Sequence, residues 1–206
     1  MPFPKRIGLL LAATLVASCL AFLIVTLDSG KMNVEAQAEP QRERQVENKI
    51  PKHVPITIKL KREKEKAFKD LKNEKWLQDF ELEVTNTSNK SIYFLELFVV
   101  LPEILAEDGH SVAIPLRYGR VDFVDFDTMA MPSDQPIPPG ETLTFTIPEG
   151  NQRGWSWHKT KENRSDPTKV EIVFVQLSHG DGSGFNGTSA TPYTHKEKRL
   201  DVVRKQ

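Results

Sequence analysis

From His53 onward, apolar and polar residues alternate with a period of two, as in strands with one wet and one dry face. Ile56, Ile58 and Leu60 alternate with Thr57, Lys59 and Lys61, and Phe80, Leu82 and Val84 alternate with Glu81, Glu83 and Thr85. A turn cluster, Asn86-Thr87-Ser88-Asn89-Lys90, follows. Residues 92–101 are then apolar on both faces except for Glu96, which predicts a central, doubly covered strand. The two segments around the turn, 79–86 and 91–101, read as a hairpin, with Pro102 ending its second strand.

Further short strands are predicted at 112–116, 121–126, 142–147 (where Leu143, Phe145 and Ile147 alternate with three threonines) and 170–178, with 200–204 as a last edge strand or tail. Asp108-Gly109 and the run Pro136-Ile137-Pro138-Pro139-Gly140 punctuate them. Ala67 and Leu71 stand at i, i+4 in a charged stretch, 62–75, read as a short surface helix or else a charged excursion between strands. Seven or eight strands with hardly any helix predict an all-β chain, an immunoglobulin-like antiparallel β-sandwich occupying 53–195, with 196–206 as tail or edge strand.

The N-terminal pattern is of another kind. Residues 7–27 form an uncharged apolar run of 21 residues, about 31 Å long as a helix against a hydrocarbon core of about 30 Å. Lys5 and Arg6 precede it, so the positive-inside rule puts everything after Leu27 outside the cytoplasm. The expectation is a retained signal anchor, giving a single-pass membrane protein with an extracytoplasmic C-terminal domain. Two alternatives stay open: secretion after cleavage near Ala38, at the A-x-A sequence Ala36-Gln37-Ala38, and lipidation of Cys19 in the lipobox-like Val16-Ala17-Ser18-Cys19. Residues 28–52 are polar and poor in aromatics, and read as a flexible stalk.

The run Trp76-Leu77-Gln78-Asp79-Phe80-Glu81, the alternation that follows it and the later Pro138-Pro139-Gly140-Glu141-Thr142 turn resemble the immunoglobulin-like sandwiches of bacterial envelope proteins. Phe80 and Leu82 match the first two positions of the related F-x-L-Y-D pattern, with Glu83 and Val84 in its last two places. The pairing of W-x-x-D-F-E with a late G-D-G-x-G-F, residues 180–185, is similar to that of uncharacterised bacterial secreted proteins. This resemblance spans most of residues 76–188 and implies a fold, not an activity.

Composition narrows the functions. The 28 basic and 28 acidic side chains give zero net charge, which argues against a nucleic-acid binder. One cysteine excludes a disulfide framework and a multi-cysteine zinc site. Charge is uneven: residues 39–75 carry 12 basic and 7 acidic side chains, residues 76–206 carry 13 and 19.

Three clusters are candidates for chemistry. Residues 178–188 place glycines at 180, 182 and 184 with Asp181 and Asn186 as oxygen donors, a candidate calcium or sugar loop or a turn requiring positive φ. The dinucleotide and serine-hydrolase spacings both fail there, because Phe185 stands where each needs glycine. Asp122, Asp125 and Asp127 form an acidic cluster, with Asp125 and Asp127 on one face of a strand. Trp155 and Trp157, on one face of a strand beside His158, and His179 form a candidate binding surface for a protein or glycan, or a core cap. No nucleophile, base and orienter assemble from local sequence, so the chain reads as a non-enzyme without a cofactor, with calcium the one ion in question. The function this supports is a membrane-anchored, extracytoplasmic binding or structural module. The alternative is a calcium- or carbohydrate-binding sandwich using loop 179–188.

Overall fold

The computed structural model describes residues 43–194. The apolar run 7–27, Cys19, the Ala36-Gln37-Ala38 site, most of the stalk and the tail beyond Thr194 lie outside the described residues. Among the described residues no helix is long and apolar enough to cross a membrane.

The alternating segments form two sheets. β2 (Ile56–Leu60), β3 (Glu81–Asn86) and β6 (Thr142–Thr146) make a three-stranded antiparallel sheet with β3 in the middle. Its register places Leu82 between Leu60 and Phe145, and Val84 between Ile58 and Leu143. The opposite face is polar and carries cross-strand pairs: Lys59 with Glu83 at 2.9 Å, Lys61 with Glu81 at 2.6 Å, and the Thr85 and Thr142 hydroxyls at 2.7 Å.

The larger sheet has six strands. β5 (Ser111–Tyr118), β4 (Phe94–Leu105), β7 (Lys169–Ser178), β8 (Ser183–Asn186) and β9 (Thr191–Thr194) lie in that order, all antiparallel. β8 covers only the end of β7, residues 176–178; along 169–172 the same edge is taken by β1 (Gln45–Asn48), which runs parallel to it. Leu95, Leu97, Val99 and Leu101 of β4 join Val170, Ile172 and Phe174 of β7 in one buried cluster with Leu82, Val84 and Phe145 of the small sheet. Each such side chain, fully buried, contributes about 1.5–3 kcal/mol, so this shared core holds the sheets together.

Several expectations need correction. Segments 79–86 and 91–101 are not a hairpin: β3 and β4 belong to different sheets. The buried Asn86 makes the corner, donating from Nδ2 to the Lys90 and Ile137 carbonyls at 2.9 and 2.8 Å while its Oδ1 accepts from the Ser88 N–H at 3.0 Å. Those bonds replace the ladder that a hairpin would continue. Pro102 does not end β4, which runs on to Leu105. The proline falls beyond the last residue paired with β7, in a register shift against β5, where its missing N–H costs no ladder bond.

Residues 121–126 are not a strand. A 3-10 turn, Val121–Val124, replaces it. Part of the expected stalk is strand β1, whose polar residues suit a half-exposed edge. Nine strands are present among the described residues, not seven or eight.

Two helices pack against the sheets. α1 (Arg62–Lys69) falls within the stretch read as helical, but its buried anchor is Phe68, edge-on to Phe80 at 5.2 Å between ring centres. α2 (Glu149–Glu162) has no counterpart in the sequence reading: Trp155 and Trp157 lie on a helix, not a strand. The helix starts after Pro148, carries Glu149–Arg153 and His158–Glu162 pairs at i, i+4, and ends at Asn163 in the left-handed conformation, φ 48°.

One carboxylate ties α2 to the segment that follows α1. Asp166 Oδ1 accepts from the indole N–H of Trp76 at 3.0 Å and of Trp155 at 2.9 Å, and Lys159 donates to Oδ2. The rings of Trp76 and Trp155 meet edge-on at 6.3 Å. Arg44, just before β1, is buried across Trp76, 4.2 Å from the ring centre, and donates to the Pro167 and Phe68 carbonyls. Burial lowers its pKa to about 10.

Candidate functional site

The Gly-rich segment is a tight β7–β8 turn. Gly180 and Gly182 have φ of +69° and +77°, a region other residues rarely enter. A Cβ on Gly180 would lie 2.7 Å from Ala130 Cβ, and one on Gly184 would lie 2.0 Å from the Leu177 carbonyl oxygen. The glycines are thus required by geometry and close packing. Asp181 closes the turn: Oδ1 accepts from the N–H and hydroxyl of Ser183, and Oδ2 accepts from Lys90 Nζ at 2.7 Å. Burial opposes ionisation of Asp181, but the bonds from Lys90 and Ser183 outweigh it and bring the pKa down to about 2.

Asn186 stands at the other end of β8, three strand steps or about 10 Å beyond Ser183. The structure does not bring these two oxygen donors together. His179 is half-buried, with Nδ1 against the Ser91 carbonyl at 3.1 Å, and burial lowers its pKa. Among the described residues no three His, Cys, Asp or Glu side chains gather so as to hold a metal ion.

The acidic cluster lies on a folded loop, residues 119–136, laid on the outer face of the large sheet. Phe123 is its plug: fully buried, it packs near Phe94 and Tyr93, ring centres 6.4 Å away in each case, and its carbonyl accepts from Gln176 Nε2 at 2.7 Å. Arg120 is its clasp. The guanidinium lies 4.9 Å from the centre of the Phe123 ring and donates to Asp134 through Nε and Nη2 and to Asp122 through Nη1. Asp125 does not share a strand face with Asp127; its carboxylate accepts the Asp127 N–H at 3.2 Å.

With the loop so held, Val121 (57% exposed), Val124, Phe126, Met129 (52%) and Met131 face solvent. Five of the seven exposed large apolar side chains among the described residues thus lie within eleven positions. On the same outer face of the sheet, beyond the loop, Phe98 lies between Pro115 and Val173, and Val100 lies beside Ala113. The sequence reading expects a strand with a wet acidic face here and misses the display. The legible signal is a set of apolar residues, Val121, Val124, Phe126, Met129 and Met131, recurring without either strand or helix period.

The two tryptophans part company on α2. Trp155 is buried (7% exposed) and held by Asp166, whereas Trp157 is 56% exposed with Lys161 Nζ 4.5 Å from its ring centre. A helix sends residues two apart to different sides, so the shared face expected of them does not form, and His179 belongs to the separate Gly-rich turn. What α2 does form is one wall of a cleft of about 620 Å³, opposite the end of the β4–β5 hairpin. Ile104, Leu105, Val112 and Ile114 line it from the hairpin, and Gly150, Gly154 and Trp155 from the helix. Arg164 donates to the Leu105 carbonyl at 2.8 Å and pairs with Glu162, linking the end of α2 to the end of β4. Sequence reasoning misses this cleft because it misses the helix; the available signal is the i, i+4 spacing shared by Gly150 and Gly154, by Glu149 and Arg153, and by His158 and Glu162.

Compared with known proteins, the chain matches no family model, no curated protein and no solved structure.

Proposed function

We propose that the chain is a non-catalytic binding module: an immunoglobulin-like sandwich, carried outside the cytoplasm by the apolar segment 7–27, that docks a partner protein through loop 121–131. The observation that carries this is the exposed apolar group Val121, Val124, Phe126, Met129 and Met131 on a loop pinned by Phe123 and Arg120. Exposed apolar side chains gathered in one segment, unlike singly scattered ones, mark interaction sites. Segment 120–136 carries four aspartates against one arginine, so the fitting partner has an apolar centre and a basic rim. The charge flanking residues 7–27 supports the membrane topology, and the two sheets around one core support the sandwich reading. The calcium or sugar reading of loop 179–188 is not adopted, because both carboxylate oxygens of Asp181 are already engaged.

The test is site-specific photocrosslinking in the full chain, in its own cells. A benzophenone side chain at Val124 or Met129 should give one discrete protein adduct, and the same group at Thr144, on the polar face of the small sheet, should not. Equal adducts from all three positions, or none from any, would overturn the proposal.

A further inference from the structure

The cleft between α2 and the β4–β5 hairpin lies away from loop 121–131 in the chain, and no part of the docking proposal uses it. Its volume, about 620 Å³, is in the range of small-molecule sites. Leu105, Val112 and Ile114 on one wall and Trp155 on the other make it apolar, and Asn151 and His158 add polar groups. The helix wall is open because of two glycines. Neither Gly150 nor Gly154 has a positive φ, and a Cβ built on either meets nothing within 4 Å. Each glycine in a helix costs stability relative to alanine, and at these two positions neither backbone geometry nor internal packing calls for one. What their missing side chains provide is room in the cleft.

Acidic groups outnumber basic ones in the cleft lining. Glu107 and Asp108 line it from the hairpin turn and are exposed, while Glu162 and Arg164, both in the lining at the end of the helix, neutralise each other. An apolar floor with exposed carboxylates at its mouth favours a ligand that is apolar and neutral or cationic, and disfavours an anion. We infer that this cleft is a binding site for a small apolar molecule, neutral or bearing an amine directed at Glu107 and Asp108.

The test is photoaffinity labelling of the purified full chain with three probes on one scaffold: trifluoromethyl-diazirinyl benzyl alcohol, benzylamine and benzoic acid. Labelled residues are mapped by peptide mass spectrometry. The alcohol and the amine should label residues 104–114 and 150–164 saturably, the benzoate at least fivefold less. Gly150→Leu/Gly154→Leu places side chains in open space on a helix, so the chain should fold; the variant should lose at least fivefold of the cleft labelling while labelling of residues 121–131 is unchanged. Non-saturating label spread over the apolar surface, cleft labelling indifferent to filling, or benzoate labelling equal to the amine would overturn the inference. A dimer with this cleft at its interface would overturn it too, by giving the cleft to a second copy of the chain.

Discussion

Replacing Gly154 with alanine tests the structural basis of the cleft by an effect of unusual sign. Most substitutions destabilise. Gly154 lies in the interior of α2, lacks a positive φ, and has nothing within 4 Å of the place an added methyl would take. The change therefore adds no clash and removes no contact. What remains is helix propensity, with glycine about 0.8–1.0 kcal/mol less favourable than alanine, reinforced by the smaller entropy of the unfolded alanine chain. A gain of about 1 kcal/mol raises the melting midpoint by about 2–4 °C in a chain of this size. Gly150, in the first turn, should give the same sign with a smaller value. The assay is thermal unfolding of the full chain by far-ultraviolet circular dichroism, with Gly184→Ala as the opposing control. There the added Cβ would lie 2.0 Å from the Leu177 carbonyl oxygen, and destabilisation of about 1–3 kcal/mol is expected. A lower midpoint for Gly154→Ala would refute the reasoning, because it would mean that the methyl meets protein and the cleft wall is closed.

Other outcomes follow from the same geometry. Asp166→Asn removes the charge that Lys159 and two indoles share, and should cost about 2–3 kcal/mol in urea unfolding. Burial opposes ionisation of both Asp181 and Asp166, yet each carboxyl is held below its usual range. Bonds from Lys90 and Ser183 bring Asp181 to about 2, and bonds from Lys159, Trp155 and Trp76 lower Asp166. Folded pKa values below the unfolded ones mean stability that is present above about pH 4 and lost as pH falls through the folded values. The melting midpoint should therefore drop steeply between about pH 4 and 2, and less so in Asp181→Asn. Phe123→Ala empties a fully buried site and should cost about 3–5 kcal/mol, detached from any effect on the main core.

The strands are legible because one face of each is dry: Leu82 and Val84 against Glu83 and Thr85 can mean little else. Their partners are not, since alternation states which face is buried and not which sheet buries it; Asn86 looks like a hairpin turn and is a corner between sheets. α2 is hidden because it buries Trp155 through a single indole held by Asp166 and carries two glycines, so it shows no apolar stripe. β1 is hidden because four residues completing an edge, three of them polar, look like stalk. Of the candidate residues, the turn role of the glycines at 180 and 182 is readable from composition. The exposed apolar loop is not, because Phe123 and Phe126 look alike in sequence while one is the buried plug and the other, set against Tyr193, stays partly exposed.

The most direct test of the central proposal separates folding from binding on loop 121–131. Val121→Ser/Val124→Ser/Met129→Ser changes exposed side chains, and each such surface substitution should shift stability by no more than about 0.5 kcal/mol. With a photocrosslinker at Met131 in the full chain, the account predicts a melting midpoint within a few degrees of the parent's and loss of the partner adduct. An adduct that persists in the triple variant, or a midpoint that collapses with it, would contradict the claim that these residues are displayed for a partner.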